Sequence, residues 1–243
     1  MSEDEFRLRA TSFGGVADLY ERARPEYPRD AITWLAGDAR RVVDLGAGTG
    51  KLTRGLVGLG YDVVAVEPLQ EMAAQLRTAV PGAVALEGSA ESIPLLDGSA
   101  DAVVAGQAFH WFYAPVALAE IARVLRTGGT LGLVWNQRDD SLPWVERLSE
   151  LIGSEAEWDH SAPPELVASP LYGELEGELF RHTQQLDRQR LIELVSSRSF
   201  TATMAPAERA ELLDRVGRLY DETAGAGGLV LPYVTHAFRA RKL

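Results

Sequence analysis

Short valine-rich runs alternate with helix-like segments over residues 41–136, and this alternation limits the fold more than any other feature of the sequence. The strand-like runs are RVVDL, DVVAVE, AVALEG, ADAVVAG and TLGLVW. Between them leucines recur at helical spacing, as at Leu52, Leu56 and Leu59. Such alternation predicts a mostly parallel sheet covered by helices on both faces, with ligands bound beyond the carboxyl ends of the strands.

The last predicted helix of this region is followed by two glycines. Leu118, Ile121 and Leu125 lie on one face at helical spacing, and Gly128 and Gly129 follow them. Glycine is favoured just past the end of a helix. The sequence therefore predicts a helix that includes Leu125 and stops at the glycine pair.

After residue 136 the alternation gives way to other patterns. Residues 137–177 hold one helical face with Val145, Leu148 and Ile152, and we interpret them as an inserted cap. Further on, LFRHTQQLD predicts a strand, RLIELVSSRSF and PAERAELLDRVGRLYDE predict helices, and GGLVLPYVTHAFRARK predicts a final strand. Proline cannot donate to a sheet ladder, so Pro232 predicts an edge or bulged position for that strand.

Composition and charge argue against several classes of function. The 35 acidic and 24 basic side chains give the 243-residue chain a net charge of −11, which repels polyanions, so we expect no nucleic-acid partner. The chain has no cysteine and therefore no disulfide or thiolate site. Its start, MSEDEFRLRA, lacks the apolar centre of a signal peptide, and no apolar stretch is long enough to cross a bilayer. We expect a cytoplasmic protein with no membrane partner.

The stretch RVVDLGAGTGKLTRGL, residues 41–56, places a glycine loop between a strand and a helix. A phosphate loop has four residues between its first glycine and the Gly-Lys pair, whereas Gly46 and Gly50 enclose three, and Leu52 stands where Ser or Thr would bind the metal. A dinucleotide loop needs a third glycine in register, which this loop lacks. Asp44 would repel a pyrophosphate but suits a ligand with an ammonium or sulfonium group.

Together these motifs resemble those of the class I S-adenosylmethionine-dependent methyltransferases. VVDLGAGTG is similar to the first motif of that family, VVAVEPLQEM to its second-strand motif, and EGSAESIPLLDGSADAVVAGQAFHWF to its adenine and fourth-strand motifs. EIARVLRTGGTLGLVW is similar to the helix and strand that follow. The flanks FGGVADLYERARPEYP and LVLPYVTHAFRARK resemble the small-molecule branch of methyltransferase type 11 domains, which includes trans-aconitate-type and ubiquinone-biosynthesis-type enzymes.

This resemblance implies a Rossmann-like α/β fold. We expect a seven-stranded, mostly parallel sheet with helices on both faces, an antiparallel last strand and a small helical cap. The chain would form a single domain, with residues 1–40 as a helical lid, 41–136 as the cofactor-binding core, 137–177 as the cap and 178–243 completing the sheet. The implied activity is in-line transfer of a methyl group from S-adenosylmethionine to a small-molecule acceptor, by a monomer or homodimer.

The resemblance and the chemistry of the residues indicate a cofactor site at the strand ends. The glycines allow close approach of the ligand, Asp44 suits its amino group, and Glu67 can accept hydrogen bonds from two ribose hydroxyls. Met72 can pack on the adenine ring. The predicted cofactor-binding residues are Tyr20, Arg24, Asp44, Gly46, Ala47, Gly48, Thr49, Gly50, Glu67, Pro68, Met72, Ser89, Ala90, Glu91 and Gln107.

The acceptor side is less constrained by the sequence. A general base is needed only if the acceptor loses a proton before or during attack. His110 is the candidate catalytic residue, and a place in the pocket wall is the alternative for it. Histidines at metal-ligand spacing are missing, so we predict no metal site. The predicted substrate pocket consists of Tyr27, Trp111, Phe112, Asn136 and Trp144.

Two other functions stay open at this point. A regulatory protein that binds S-adenosylmethionine without catalysis would share the cofactor motifs. A nucleotide-dependent oxidoreductase would instead bind nicotinamide. Gln107, His110 and the neighbouring aromatic residues favour catalysis over regulation. The sequence does not identify the acceptor, nor whether oxygen, nitrogen or carbon is methylated.

Overall fold

The fold is built on one seven-stranded sheet. The structure, a computed structural model, describes residue 19 and residues 22–153 and 161–243. The strands are β1 Arg41–Leu45, β2 Asp62–Glu67, β3 Val84–Glu87, β4 Ala100–Gly106, β5 Leu125–Arg138, β6 Glu176–Leu186 and β7 Leu229–Arg241. Their order across the sheet is β3-β2-β1-β4-β5-β7-β6.

Helices precede and separate these strands. They are α1 Arg29–Ala36, α2 Lys51–Gly58, α3 Gln70–Ala79, α4 Ala114–Val124, α5 Pro143–Ile152, α6 Pro164–Val167, α7 Arg188–Ser196, α8 Ser199–Thr203 and α9 Pro206–Thr223. A 3₁₀ turn covers Phe109–Trp111. None of the helices in the described part of the chain combines the length and the apolar character that a bilayer span requires.

The first five strands run parallel, and their register brings the carboxyl ends of β1 and β2 to the same edge. Asp44 on β1 lies opposite Ala65 on β2 and Val104 on β4. The valine-rich strands β1 and β2 are buried along nearly their whole length, as expected of strands covered on both faces. Since β1 lies between β2 and β4, the strand order reverses there, which is where open α/β sheets bind ligands.

The last strand, β7, runs antiparallel to its neighbours, as predicted. Near one end of β5, the Gly128 amide donates to the Lys242 carbonyl, and just past the other end the Asp139 amide donates to the Pro232 carbonyl. The expected Rossmann-like, mostly parallel seven-stranded sheet is therefore confirmed.

Of the two positions predicted for Pro232, an edge or a bulge, the edge is wrong, because β7 lies between β5 and β6. The structure gives a physical reason for a proline there. In an antiparallel strand, the nitrogen and carbonyl of one residue point to the same side. The Pro232 carbonyl accepts from Asp139, one residue beyond the end of β5. The missing N–H of Pro232 therefore costs no bond within the β5 ladder.

The predicted end of the helix after β4 is also wrong. Helix α4 ends at Val124, and Leu125 begins β5. Leu125 pairs with Ala100 while Thr130 pairs with Ala102, so β5 carries extra residues at this point. Gly128 has φ of 72° within that irregularity. The glycine pair thus serves a bulge in the strand rather than the end of a helix.

The chain divides into two compact units. The first, called the core unit below, combines Glu26–Asn136, His160–Phe180 and Thr235–Leu243. Its buried apolar cluster joins Ile32 and Leu35 of α1, Leu56 of α2 and strand residues such as Val42 and Val104. Helices α1 and α2 pack closely, since a Cβ atom at Gly55 would lie 2.3 Å from Cδ1 of Ile32.

The second unit combines Met1–Pro25, Gln137–Asp159 and Arg181–Val234. Helices α5, α7 and α9 bury one face each in a single apolar cluster, which includes Val145, Leu191 and Val216. The expected division of the chain into lid, core, cap and completing segments stays a prediction.

Candidate active site

The glycine loop joins β1 to α2 in the core unit and is pinned against the end of β2. The amides of Gly46 and Ala47 both donate to the carbonyl of Val66, over 2.9 and 3.2 Å. The Gly50 amide donates back to the carbonyl of Ala47 over 2.9 Å. These bonds fix the course of the loop between the tips of two neighbouring strands.

The three glycines of the loop adopt positive φ values, but their surroundings differ. A Cβ atom at Gly46 would lie 2.8 Å from Cβ of Ala108, and one at Gly50 would lie 3.0 Å from Cγ of Leu76. At Gly48, with φ of 56°, the nearest atom would be Sδ of Met72 at 4.0 Å. Gly46 and Gly50 therefore meet close neighbours, whereas Gly48 leaves room for a ligand beside the backbone.

Asp44 is buried near the end of β1, and its two carboxylate oxygens have different surroundings. Its exposed fraction is 1%, and its Oδ2 accepts a 2.6 Å hydrogen bond from the hydroxyl of Thr53 on α2. Its Oδ1 has no hydrogen-bond partner among the described residues. The pKa of Asp44 is raised to about 7, mainly by burial, with the nearby charge of Glu67 adding to the rise and hydrogen bonds from Thr53 opposing it.

Glu67 ends β2, and its carboxylate holds two backbone amides. Oε2 accepts from the Gly48 amide over 2.8 Å, and Oε1 accepts from the Leu69 amide over 2.9 Å. Burial raises the pKa of Glu67, while these two amide bonds counteract the shift. Each carboxylate oxygen has two lone pairs, so each can accept a further hydrogen bond.

Three predicted cofactor-binding residues surround this loop and strand end. Thr49 is buried within the loop, and Pro68 is exposed directly after Glu67. Met72 is buried on α3, with its sulfur facing the Cβ direction of Gly48. The structure thus brings the predicted residues from β1, the glycine loop, β2 and α3 together.

The segment after β3 is held by short-range contacts. Ser89 and Ser92 exchange two backbone hydrogen bonds, over 3.4 and 3.2 Å. Ala90 is buried between them in the chain, and Glu91 accepts from the Tyr113 amide over 2.9 Å through its carboxylate. The Glu91 carboxylate thus links this segment to the start of α4.

Gln107 follows β4 in a strained backbone conformation. Its φ is 56°, which in the described chain sets it apart from every other non-glycine residue. Its amide donates to the Val134 carbonyl over 2.8 Å, and its side-chain Nε2 donates to the Asn136 carbonyl over 3.1 Å. Backbone strain of this kind costs about 1–3 kcal/mol and is concentrated at functional sites. The bonds to β5 hold Gln107 in this conformation.

Aromatic side chains follow Gln107 in the 3₁₀ turn. The ring of Phe112 lies against the glycine loop, with Cε1 at 3.4 Å from the Cβ position of Gly46, and packs edge-on with Phe109. The ring of His110 lies 4.9 Å from that of Trp111. The His110 residue is exposed to solvent. The protein atoms packed around its imidazole nevertheless desolvate the ring and lower its pKa to about 4. Its imidazole is therefore uncharged at neutral pH.

Two predicted pocket residues stabilise the same end of the core unit. The phenol oxygen of Tyr27 would lie 2.7 Å from a Cβ atom at Gly106, so Tyr27 lies directly beside the end of β4. The Asn136 side chain donates to the Glu26 carbonyl over 3.1 Å and accepts from the Thr235 hydroxyl over 2.6 Å. Asn136 therefore holds the segment before Tyr27 and the strand β7 with its side-chain amide.

Comparisons with known proteins agree with this arrangement. A family model described as a methyltransferase domain matches residues 43–133. An uncharacterized methyltransferase from Mycobacterium tuberculosis H37Rv is 49% identical over 235 residues, covering 94% of this chain and 95% of the relative. An uncharacterized methyltransferase-like protein from Schizosaccharomyces pombe is 36% identical over 243 residues, covering 93% of both.

The chain belongs to the class I S-adenosylmethionine-dependent methyltransferases.

Solved structures show the same fold. A candidate type II methyltransferase from Anaeromyxobacter dehalogenans is similar with a TM-score of 0.68 at 24% identity, covering 90% of this chain and 97% of that one. A phosphoethanolamine N-methyltransferase from Haemonchus contortus, solved with S-adenosylhomocysteine, gives a TM-score of 0.58 at 17% identity. That match covers 100% of this chain and 60% of the other.

Two further predicted residues of this methyltransferase, Arg24 and Trp144, lie in the second unit. Tyr20 lies outside the described residues. Arg24 is half-buried in the second unit, and Trp144 packs there against the apolar cluster of α5, α7 and α9. Their assignment to the cofactor and the acceptor stays a prediction. In the described chain, no group of three His, Cys, Asp or Glu residues could hold a metal ion.

The hydrogen bond between Thr53 and Asp44 was not predicted from the sequence. Thr53 lies three residues after the glycine loop and is completely buried on α2. One signal for it was available, because Thr53 is a polar residue next to the apolar stripe of Leu52 and Leu56. A polar residue buried on an otherwise apolar helix face usually has a hydrogen-bond partner.

Proposed function

We propose that this methyltransferase transfers a methyl group from S-adenosylmethionine to a small-molecule acceptor by in-line displacement. The observation that carries the proposal is Oδ1 of Asp44, which has no hydrogen-bond partner among the described residues and is buried next to a glycine loop held by Glu67. A buried carboxylate oxygen without a donor is costly, and a cationic ligand would supply that donor.

The chemical character of the residues fits this cofactor. An ammonium group suits Asp44 in its charged form, and two neighbouring hydroxyls suit the two oxygens of Glu67, each of which keeps a lone pair for one more bond. Gly48 leaves space for the ligand beside the loop, and Met72 offers an apolar surface next to that space.

When bound, S-adenosylmethionine supplies a methyl group attached to a positively charged sulfur, and this sulfur is the leaving group of the transfer. The protein has to align the acceptor behind the methyl carbon and exclude water. In the core unit, Gln107, Trp111 and Phe112 are the residues we assign to that task. Gln107 is pre-set by its bonds to β5, so its side chain needs little reorganisation on binding.

We assign His110 to the pocket wall. A general base works best with a pKa near the operating pH. The pKa of His110, about 4, makes its imidazole a weak base. This assignment favours acceptors that are nucleophilic without loss of a proton, such as carboxylates.

The proposal is tested by methyl transfer with S-adenosylmethionine carrying an isotopic label on its methyl group. The acceptors to offer are panels of carboxylic acids, amines and phenols, with S-adenosylhomocysteine measured as the common product. We expect label in at least one acceptor class with the wild type and none with the variant Asp44→Asn/Glu67→Ala. If the folded wild type binds the cofactor but transfers its methyl group to nothing offered, a regulatory role gains support over the proposed one.

A further inference from the structure

Thr53 lies beside the buried carboxylate of Asp44. It lies on α2 with an exposed fraction of 0%, and its hydroxyl donates to Oδ2 of Asp44 over 2.6 Å. The bond occupies one oxygen and leaves Oδ1 as the oxygen without a partner among the described residues. A short hydrogen bond to a carboxylate both orients it and favours its charged form.

The charged residues on the elements around Asp44 either raise its pKa or bind other groups. On β2, Glu67 is the charged residue whose proximity raises the pKa of Asp44. On α2, Lys51 pairs with Glu26 at 3.4 Å. On β4, the one ionisable residue is Asp101, which accepts from backbone amides and from Arg126 at the start of that strand.

The charged residues of helix α1, which packs beside α2, are exposed. Helix α1 contributes apolar side chains such as Ile32 to the cluster beside α2, while its charged Arg29 and Asp30 are exposed. Thr53 therefore supplies the side-chain hydrogen bond that opposes the effects of burial and of Glu67 on Asp44.

We propose that Thr53 is a positioning residue, which favours the charged form of Asp44 and presents its Oδ1 to the ammonium group of the cofactor. The inference rests on the proposed function, because it assigns that ammonium group to Asp44. It adds that cofactor affinity depends on a hydroxyl that itself does not contact the cofactor. Affinity should then rise with pH as Asp44 loses its proton, and removal of the hydroxyl should move that rise to higher pH.

The test combines a ligand-free measurement with a binding measurement. The titration of the Asp44 carboxyl carbon is followed by NMR in the ligand-free protein, with the signal assigned by its loss in Asp44→Asn. Thr53→Val removes the hydroxyl and keeps the shape of the side chain. We expect it to raise the Asp44 midpoint by roughly one pH unit and to weaken S-adenosylmethionine binding at pH 7 about tenfold. Thr53→Ser should restore both values.

Thr235→Val is the matched control. Thr235 is equally buried in the core unit, and its hydroxyl donates a 2.6 Å bond to Asn136 rather than to Asp44. The control should lose similar stability without moving the Asp44 midpoint. If Thr53→Val does not fold, Thr53→Ala takes its place in both measurements.

The outcomes separate the inference from the proposed function. If the wild type binds S-adenosylmethionine but the Asp44 midpoint is the same with and without the Thr53 hydroxyl, the positioning role is wrong and the proposed function stands. A shift of equal size in Thr235→Val would also overturn the role. If the folded wild type binds no S-adenosylmethionine at all, both the proposed function and the inference fail.

Discussion

The amide of Gly48 donates to Oε2 of Glu67 over 2.8 Å, and this bond ties the middle of the glycine loop to the tip of β2. The same carboxylate holds the Leu69 amide, which precedes α3. Glu67 therefore organises two backbone segments before any ligand binds. Its loss should affect both the loop and the ligand.

Glu67→Gln is the mildest change that tests this role. The amide nitrogen of glutamine cannot accept a hydrogen bond, so either the Gly48 or the Leu69 amide would lose its acceptor. We expect at least about tenfold weaker S-adenosylmethionine binding, the effect of losing one hydrogen bond to a charged group. Isothermal titration calorimetry measures it. Wild-type affinity in Glu67→Gln would show that the carboxylate charge has no part in binding.

Asp44→Asn should raise the stability of the protein at pH 8 and weaken its binding of S-adenosylmethionine. The pKa of Asp44 is raised to about 7 in the folded protein, above its usual value of 3.8. The folded state then holds the proton more tightly than the unfolded state, so stability falls as pH rises from about 4 to about 7 and stays low above that. We expect Asp44→Asn to be more stable than the wild type at pH 8 by at least about 1 kcal/mol, with little difference at pH 4.

Urea unfolding at the two pH values measures the stability effect, and calorimetry measures the binding effect. Binding of S-adenosylmethionine by Asp44→Asn should be at least about tenfold weaker at pH 8, because the cation loses its charged partner. A stability difference that is the same at pH 4 and pH 8 would contradict the raised pKa. Unchanged affinity would contradict the role of Asp44 in binding.

Gly48 and Gly37 form a matched pair for the loop. Both have φ of 56°, and a Cβ atom would meet no close contact at either position. A φ of 56° strains alanine at both positions, and Gly37 with its ψ of −130° also lies outside the left-handed helical region, so Gly37→Ala should lose at least as much stability as Gly48→Ala. Gly48→Ala alone should weaken S-adenosylmethionine binding, since its methyl group would enter the space beside the loop. Equal affinities in thermal-shift and calorimetric titrations of the two variants would place the ligand elsewhere.

His110→Gln tests the assignment of His110 to the pocket wall. The lowered pKa of about 4 means that its imidazole does not change charge between pH 5.5 and 8. We therefore expect no inflection from His110 in the pH profile of kcat/KM, and a kcat within about tenfold of the wild type, short of the 10²–10⁴-fold loss typical of a general base. A larger loss at every pH would assign proton transfer to His110.

Much of the site followed from the sequence because it depends on strand order. The carboxyl ends of parallel strands meet at one edge, so Asp44 near the end of β1 and Glu67 at the end of β2 had to come close. The glycine spacing indicated a loop that approaches a ligand. These inferences need only the alternation of elements and the position of each residue within its own element.

Contacts between distant segments could not be predicted in that way. Hydrophobic spacing shows which face of α2 is buried, but it does not show that Thr53 on that face meets Asp44. Pro232 was misplaced because its tolerance depends on where β5 ends. Leu125 was assigned to a helix because its spacing fits one, while pairing with Ala100 places it in β5.

Whether the carboxylates of Asp44 and Glu67 bind the cofactor is tested most directly by calorimetry. S-adenosylmethionine is titrated at pH 8 into the folded wild type and into Asp44→Asn/Glu67→Ala. We expect one cofactor bound per wild-type chain and no measurable binding by the double variant, with circular dichroism confirming that both are folded. Equal binding by the two proteins, or no heat from a folded wild type, would contradict the role of these carboxylates in binding.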